Sequence, residues 1–221
     1  MSRRQAATPA ATVHKYWRNA LKQYAMLFDA DRCVSCKRCV AACREENNIT
    51  GEWNRIFVKM KESEREFAPP EPFVQMCNQC KNPGCVTACP VDGKAIHKRA
   101  TDGIILVDHE KCTGCGECVK GCPYNLIHMS EWKNARGQCV ADKCTLCSHR
   151  FDSFNEVPDD YDPPCAQICP VGALKFGEKK ELDELVEWKG RKDDVLRNEK
   201  NSIIPSNISL KKRRVDRQVS L

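Results

Sequence analysis

The chain has 221 residues, a formal net charge of +6 and an aromatic content of only 7%. This length allows one domain or two small ones, but a conventional apolar core would be thin for it. No window approaches the roughly 18 consecutive apolar residues of a membrane span, and no secretory leader follows the basic start at Arg3 and Arg4.

The first predicted elements are a polar N-terminal arm, residues 1–22, and a strand over residues 23–28. The first cysteine group follows, with the spacing C-x2-C-x2-C-x3-C at Cys33, Cys36, Cys39 and Cys43. Bacterial ferredoxins hold their clusters with this run of cysteines. Arg44 stands where the ferredoxin run has a proline.

The cysteine pattern occurs three more times along the chain, and in each repeat a proline follows the fourth cysteine. Group two is Cys77, Cys80, Cys85 and Cys89; group three is Cys112, Cys115, Cys118 and Cys122; group four is Cys144, Cys147, Cys165 and Cys169. Group three repeats the spacing of group one, whereas groups two and four lengthen its middle. Four repeats of one ligand pattern are a specific signal for iron bound through these sixteen cysteines.

Two other interpretations of so many cysteines are weaker. A disulfide scaffold is typical of small secreted domains, but this chain has 17 cysteines, an odd number, and no visible signal peptide. Structural zinc sites usually combine two short Cys or His pairs across a longer gap, whereas here up to four cysteines fall within eleven residues.

The spacing has a physical cause. Three thiolates that bind three corners of one cube must come from a tight loop, where small residues let backbone N–H groups approach the sulfurs. A short helical turn then carries the chain to a fourth cysteine that points towards a different cluster. The proline after that cysteine ends the helix.

The connecting segments predict the rest of the fold. Residues 44–76 are charged and contain three prolines, which predicts a surface linker. Strands over 95–99 and 103–108 flank a turn at residues 101–103 and predict a β-hairpin, and further strands are predicted at 126–129 and 173–176. Strand, cysteine loop, short helix and strand together predict a ferredoxin-like α+β fold.

The C-terminal third is less regular. Residues 148–164 predict an acidic loop inside group four, and Lys179–Trp188 predicts a helix through the spacing of Leu182, Leu185 and Val186. Residues 190–221 are polar and charged, which predicts a second arm that stays mobile or becomes ordered on a partner.

Several residues have an ordinary interpretation beside a functional one. Cys139 is the odd cysteine and is predicted to be a small buried side chain rather than a ligand. The five histidines are predicted to be structural, because no ligand position lacks a cysteine. Lys37 and Arg38 lie between ligands of group one, either as solvated charges or as charges that tune a reduction potential.

The positive charge does not favour nucleic acid as a partner. Sixteen thiolates and four oxidised cubane cores together would add about −8. The lysine and arginine excess behind the +6 therefore offsets the charge of the clusters.

Read together, these motifs resemble the iron–sulfur subunit of molybdopterin oxidoreductases of the dimethyl sulfoxide reductase superfamily, above all the polysulfide, tetrathionate and arsenate reductase type. The match covers residues 23–178. The motifs are DRCVSCKRCV at 31–40 with ENN at 46–48, CNQC at 77–80 with CVTACP at 85–90, DGI at 102–104, CTGC at 112–115, CPY at 122–124, and KCTLC at 143–147 with Cys165 and Cys169.

The resemblance implies two interleaved ferredoxin-like modules, each with two [4Fe–4S] clusters, plus extended terminal arms. Module A is discontinuous, residues 23–60 with 139–178, module B is 73–130, and 179–221 form the C-terminal helix and arm. With exchanged fourth ligands, four cysteine sets follow. Set 1 is Cys33, Cys36, Cys39 and Cys169; set 2 is Cys77, Cys80, Cys85 and Cys122; set 3 is Cys112, Cys115, Cys118 and Cys89; set 4 is Cys144, Cys147, Cys165 and Cys43.

The function that the resemblance implies is that of a non-catalytic electron-transfer subunit. It would pass electrons between a molybdenum or tungsten pterin catalytic subunit and a quinone-linked membrane anchor or soluble carrier, on the cytoplasmic or periplasmic face of a membrane. The alternatives are a free-standing polyferredoxin and the electron-transfer subunit of a hydrogenase or formate dehydrogenase. No nucleophile–base pair or phosphate loop is evident in the sequence.

Overall fold

The computed structural model describes residues 22–61, 70–154, 157–188, 195–196 and 208–210. The helices are α1 (Arg38–Glu46), α2 (Gly84–Thr87), α3 (Glu117–Lys120), α4 (Pro164–Gln167) and α5 (Lys179–Trp188). Within the described ranges, none of them is long and apolar enough to cross a lipid bilayer.

The largest sheet joins the two ends of the described chain. Strand β1 (Tyr24–Asp29) is wholly buried and pairs antiparallel with β8 (Leu174–Glu178). The predicted strands at 23–28 and 173–176 are thereby confirmed. On its other side β1 pairs in parallel with β10 (Ile208–Leu210), which in turn pairs with β9 (Val195–Leu196).

Helix α5 covers one face of this sheet, as its apolar spacing predicts. Leu182 is buried against Ala25 and Leu27 of β1, and Leu185 packs beside them. The predicted helix is thus confirmed. The predicted arms at 1–22 and 190–221 lie almost wholly outside the described residues, apart from β9 and β10.

Two hairpins lie in the middle of the chain. Strands β4 (Ile96–Lys98) and β5 (Ile105–Val107) pair antiparallel, as predicted, and Gly103 in their turn has a φ of 71°. Strands β6 (His128–Lys133) and β7 (Cys139–Asp142) form the other hairpin, with an irregular register between Met129 and Lys133. Strand β6 begins two residues later than predicted.

The prediction of a surface linker over residues 44–76 is wrong. This segment contains the hairpin of β2 (Ile56–Lys61) and β3 (Glu71–Met76). Ile56, Val74 and Met76 are buried in the core because alternate residues of each strand face inward. A two-stranded ribbon consists only of edge strands, so it tolerates Pro72.

The hydrophobic interior is divided into two clusters. The first core contains Met26, Phe28, Ile56, Leu146 and Phe151, together with cysteines of groups one and four. The second core contains the aliphatic residues Ile96, Ile105, Ile127 and Val140, together with cysteines of groups two and three.

Candidate iron–sulfur sites

All four cysteine loops share one backbone feature. In each group the residue before the second cysteine has a positive φ; these residues are Ser35 (55°), Gln79 (46°), Gly114 (73°) and Leu146 (55°). A left-handed conformation costs a residue other than glycine about 1–2 kcal/mol. It also turns successive backbone N–H groups into a concave surface that favours an anion. The repeat found in the sequence is therefore also a repeat of backbone geometry.

Gly114 shows why one of these positions requires glycine. A Cβ built there would lie 2.6 Å from the carbonyl oxygen of Cys139. Because that oxygen belongs to the backbone of β7, it cannot move aside as a flexible side chain would. Glycine thus lets the group-three loop pack directly against the β6–β7 hairpin.

Small residues also bring groups two and three together. A Cβ added to Gly121 would lie 2.7 Å from the Cβ of Ala88. Gly121 precedes Cys122 and Ala88 precedes Cys89, so the two fourth cysteines lie on neighbouring segments that follow α3 and α2. This close packing allows each fourth cysteine to reach towards the other group's loop.

The cysteines of the four groups are distributed between the two cores in pairs of groups. Groups one and four meet in the first core, although about a hundred residues separate them; its cysteines are Cys33, Cys39, Cys43, Cys144, Cys165 and Cys169. Groups two and three meet in the second core, with Cys85, Cys89, Cys112, Cys118 and Cys122.

Within each core, the charge interactions between thiols group the cysteines into two neighbourhoods. Cys39 interacts with Cys33, Cys36 and Cys169. Cys165 interacts most strongly with Cys144, Cys43 and Cys147, and more weakly with Cys39. Cys85 interacts with Cys77, Cys80 and Cys122. Cys118 interacts with Cys112, Cys115 and Cys89. Each of these four neighbourhoods brings together the members of one predicted set.

This crowding opposes ionisation of the bare thiols. Burial, followed by the charges of neighbouring cysteines, raises the pKa of Cys85 to about 12. Burial also raises the pKa of Cys39 and of Cys118 to about 11. Four such thiols become ligands only when positive charge compensates them, and iron ions provide that charge.

The chemistry of the donor sets fits iron–sulfur clusters. The four cysteines of set 4 line one hollow, together with apolar residues such as Met26 and Ile56. The four cysteines of set 3 line another, together with Ile96 and Met129. Sulfur ligands in a largely apolar surrounding suit an iron–sulfur cluster, which is held by soft thiolate ligands. In the part of the chain that is described, no three Cys, His, Asp or Glu side chains are arranged to hold a single metal ion.

Backbone N–H groups are directed at the sulfurs. Ser35 donates its N–H to Cys33 Sγ at 3.4 Å, and Ala173 donates to Cys169 Sγ at 3.2 Å. Cys89 is buried, which raises its pKa, but the backbone N–H groups of Ile96, Val91 and Ala95, aided by Lys94, bring the pKa below the ordinary value. Such hydrogen bonds to sulfur favour a thiolate and help to set cluster potentials.

A second layer of side chains holds the carbonyl groups of the cysteines, and the sequence did not predict it. Five of these donors are Asn47 to Cys43 (2.8 Å), Lys98 to Cys80 (2.9 Å), Arg136 to Cys112 (3.0 Å), Lys143 to Cys144 (3.0 Å) and Tyr161 to Cys147 (3.1 Å). Lys98, Arg136 and Tyr161 lie 14 to 24 residues from the cysteines whose carbonyls they bind, so cysteine spacing gives no sign of them.

An ion pair lies beside set 4. The Arg55 guanidinium donates to both carboxylate oxygens of Asp142, at 2.6 and 3.0 Å, and to Asn47 Oδ1 at 2.5 Å. Burial would lower the pKa of Arg55, but Asp142 and the thiols Cys144 and Cys43 raise it overall. A fixed positive charge therefore faces the hollow that set 4 lines.

The remaining residues singled out in the sequence lie close to the cysteine groups but are not members of the four thiol neighbourhoods. Cys139 begins β7 and is half-buried, which makes it more exposed than predicted. Lys37 and Arg38 are exposed. His149 makes its contact with Glu46, 2.7 Å from Nε2 to Oε1.

The chain is similar in sequence to known iron–sulfur proteins. The 4Fe-4S dicluster domain family matches residues 71–179, and a 4Fe-4S binding domain family matches residues 30–47. The chain is 32% identical to the thiosulfate reductase electron transfer subunit PhsB of Salmonella typhi, over 81% of this chain and 88% of that protein.

Other relatives come from different reductases and dehydrogenases. The chain is 32% identical to the iron-sulfur subunit of the nitrate-inducible formate dehydrogenase of Escherichia coli, over 83% of this chain and 64% of that protein. It is 36% identical to a subunit of the tetrathionate reductase of Salmonella typhimurium, over 72% of this chain and 59% of that protein. The chain thus belongs to the family of iron–sulfur electron-transfer subunits of the dimethyl sulfoxide reductase superfamily, and it carries [4Fe–4S] clusters.

Proposed function

We propose that the chain holds four [4Fe–4S] clusters, one on each cysteine set, within two interleaved ferredoxin-like modules. It conducts electrons between a molybdenum or tungsten pterin catalytic subunit and a quinone-linked membrane anchor or soluble carrier, and has no reaction of its own. The observation that carries this proposal is the grouping of the thiols into four neighbourhoods, each drawn from two sequence groups.

The packing of distant segments supports the modular part of the proposal. Strand β1, from before group one, pairs with β8, from after group four. Helices α1 and α4, which follow the loops of those two groups, also pack together. A discontinuous module A around an inserted module B accounts for both contacts.

The exposure of the thiols supports an order in which electrons pass through the four sets. Cys36 of set 1 and Cys115 of set 3 are exposed, whereas all cysteines of sets 2 and 4 are at least half-buried. Sets 1 and 4 are neighbours through Cys39 and Cys165, and sets 2 and 4 through Cys77 and Cys144. The proposed path is therefore set 1, set 4, set 2, set 3, with the outer sets accessible to partners.

An exposed apolar area beside set 1 supports a partner at that end. Val34 and Ile168, which adjoin Cys33 and Cys169, are 63% and 44% exposed. Met60 is 52% exposed, and its sulfur lies 3.2 Å from the hydroxyl of Ser35. Exposed apolar side chains grouped around one site are typical of a protein interface. We assign this surface to the catalytic subunit, with the C-terminal arm as a further contact.

The cofactor content is tested by analysis of anaerobically prepared protein. We expect about 16 iron atoms and as many acid-labile sulfides per chain, from four cubane clusters. C139A should keep this content, whereas C122A should lose iron, because Cys122 is proposed as a ligand of set 2. About eight iron atoms, or zinc in whole-number amounts, would refute the proposal.

The partnership is tested by affinity purification of the native protein. A pterin-containing subunit should be retained with it, and substitution of Val34 and Ile168 by aspartate should release that subunit without loss of iron. Recovery as an iron-loaded monomer without pterin would instead support a free-standing polyferredoxin.

A further inference from the structure

Lys143 is buried where the two cores meet. Lys143 is only 1% exposed. Its Nζ donates hydrogen bonds to the carbonyl oxygens of Ile105 and Cys144, the latter at 3.0 Å. Ile105 belongs to the second core, whereas Cys144 packs against the first. Both acceptors are neutral, although burying an ammonium group is costly unless opposite charge lies nearby.

Gln79 joins the same two residues by a second route. It is fully buried, its Oε1 accepts the N–H of Ile105 at 2.8 Å, and its Nε2 donates to the carbonyl of Cys144 at 3.0 Å. Gln79 lies in the loop between Cys77 and Cys80. Gln79 thus holds the loop of set 2 against the loop of set 4, and Lys143 holds β5 against that same loop of set 4.

The ammonium group acts on thiols of both modules. It exerts a charge effect on Cys85 of set 2 and on Cys144 of set 4. Cys77 exerts the largest charge effect on Cys144 of any neighbour. Negative charge at these two sets would therefore interact favourably with Lys143, in place of a carboxylate partner.

We propose that Lys143 is a positioning residue for electron transfer between the two modules, a fixed positive charge that stabilises added negative charge at sets 2 and 4 alike, while Gln79 fixes their separation. The inference rests on the proposed function, in which one electron crosses from one of these sets to the other without a proton. Since Lys143 raises the reduction potentials of sets 2 and 4 together, the difference between them stays small and the electron is not held at either set.

The test is an EPR-monitored redox titration of the K143Q protein. Glutamine keeps a hydrogen-bond donor but removes the charge. We expect two of the four midpoint potentials to fall together, each reduction equilibrium constant decreasing about tenfold, which is 59 mV for one electron. The other two midpoints should change much less, because Lys143 is not among the charges that act most strongly on Cys39 of set 1 or Cys118 of set 3.

Lys98 offers a matched control. Its Nζ also donates to a cysteine carbonyl, that of Cys80 in set 2, but the residue is only half-buried. K98Q should therefore shift one midpoint, and by less than K143Q shifts either of its two. Equal shifts in K98Q and K143Q, or a shift of only one midpoint in K143Q, would overturn the proposal.

The proposed function is tested separately by the wild-type protein. If it lacks four clusters, the function fails; if it has four and K143Q leaves all midpoints unchanged, only the inference fails. K143R covers the case in which K143Q does not assemble. Loss of a cluster from K143Q but not from K143R would support a need for charge, whereas loss from both would show a structural tie and refute the inference.

Discussion

Groups one and three have the same cysteine spacing, yet the helices that begin just before their third cysteines differ in length. Helix α1 runs for nine residues, Arg38–Glu46, whereas α3 has only four, Glu117–Lys120. The difference follows from the residue after the fourth cysteine, which is Arg44 in one group and Pro123 in the other. Proline lacks an N–H and clashes with the preceding turn, so the helix must end before it.

The longer helix changes what surrounds the group. Arg44 donates to the carbonyls of Gly51 and Trp53, at 2.8 and 3.3 Å, and so fixes the loop that leads into β2. The helix also extends to Asn47, which contacts Arg55. Group one is therefore part of a polar network that continues from its helix, whereas group three combines glycines and close backbone packing with the hydrogen bonds of Asn134 and Arg136 to Cys112. Ligand spacing alone does not set the environment of a cluster.

The largest expected effect comes from breaking the network beside set 4. R55M leaves the carboxylate of Asp142, only 8% exposed, without its bidentate partner. Removing one member of a buried ion pair costs about 3–5 kcal/mol. We expect lower unfolding stability and loss of iron from set 4, measured by anaerobic denaturation and iron analysis.

The control for that change is an exposed pair beside group three. Lys111 lies 3.6 Å from Asp108, with the lysine side chain 58% exposed. K111M should change stability by less than about 1 kcal/mol. Equal losses in R55M and K111M would show that group one does not depend on its network.

Exchanging the residues after the fourth cysteine tests the comparison directly. R44P should shorten α1 and remove the contacts of the guanidinium, at a cost of about 3 kcal/mol or more. The reciprocal P123R affects an exposed residue and removes only the restriction that proline places on the unfolded chain, so it should cost only about 0.4–1 kcal/mol. Urea unfolding of the two proteins under anaerobic conditions measures both. Similar costs for the two exchanges would contradict the account given for helix length.

The glycines of group three give an intermediate effect. G116A meets no atom within 4 Å, so only the left-handed backbone, with a φ of 75°, opposes it, at about 1–2 kcal/mol. G114A adds a collision with the carbonyl of Cys139 and should cost on the order of 3 kcal/mol. Thermal unfolding of each holoprotein is the measurement. If G116A were the more damaging, the close approach at Gly114 would not be the reason for glycine there.

The sequence predicted those parts of the fold that depend on local pattern. The hairpin around Gly103 and the helix containing Leu182 follow from turn chemistry and apolar spacing, and both are present. The β2–β3 hairpin was missed because its prolines and charges suggested a linker, although Ile56, Val74 and Met76 alternate inward. A ribbon with two free edges accepts residues that a central strand excludes.

The features of the candidate sites were likewise predictable only where they depend on a local sequence pattern. Cysteine positions are visible in the sequence because three ligands of each set come from one or two short runs, and all four loops repeat the same backbone turn. The contacts of Gln79, Arg55 and Lys143 were not foreseen, because each joins backbone or side-chain groups that are 26 to 87 residues away. Such contacts depend on how the modules pack, and residue spacing along the chain does not predict that packing.

The smallest expected effect concerns the charges that distinguish the loops of groups one and three. Lys37 and Arg38 stand where group three has Gly116 and Glu117. Positive charge favours the reduced cluster, so K37Q combined with R38Q should lower the midpoint of set 1. Both residues are exposed, and solvent and salt therefore weaken their effect. The shift should accordingly be smaller than that expected for Lys143 and should shrink further as ionic strength rises.

E117Q supplies a control of opposite sign, because removing a negative charge should raise the midpoint of set 3. EPR-monitored titrations at low and high salt measure both changes. Shifts of the same sign in the two loops, or a shift that salt does not reduce, would mean that the substitutions act through loop structure rather than through charge.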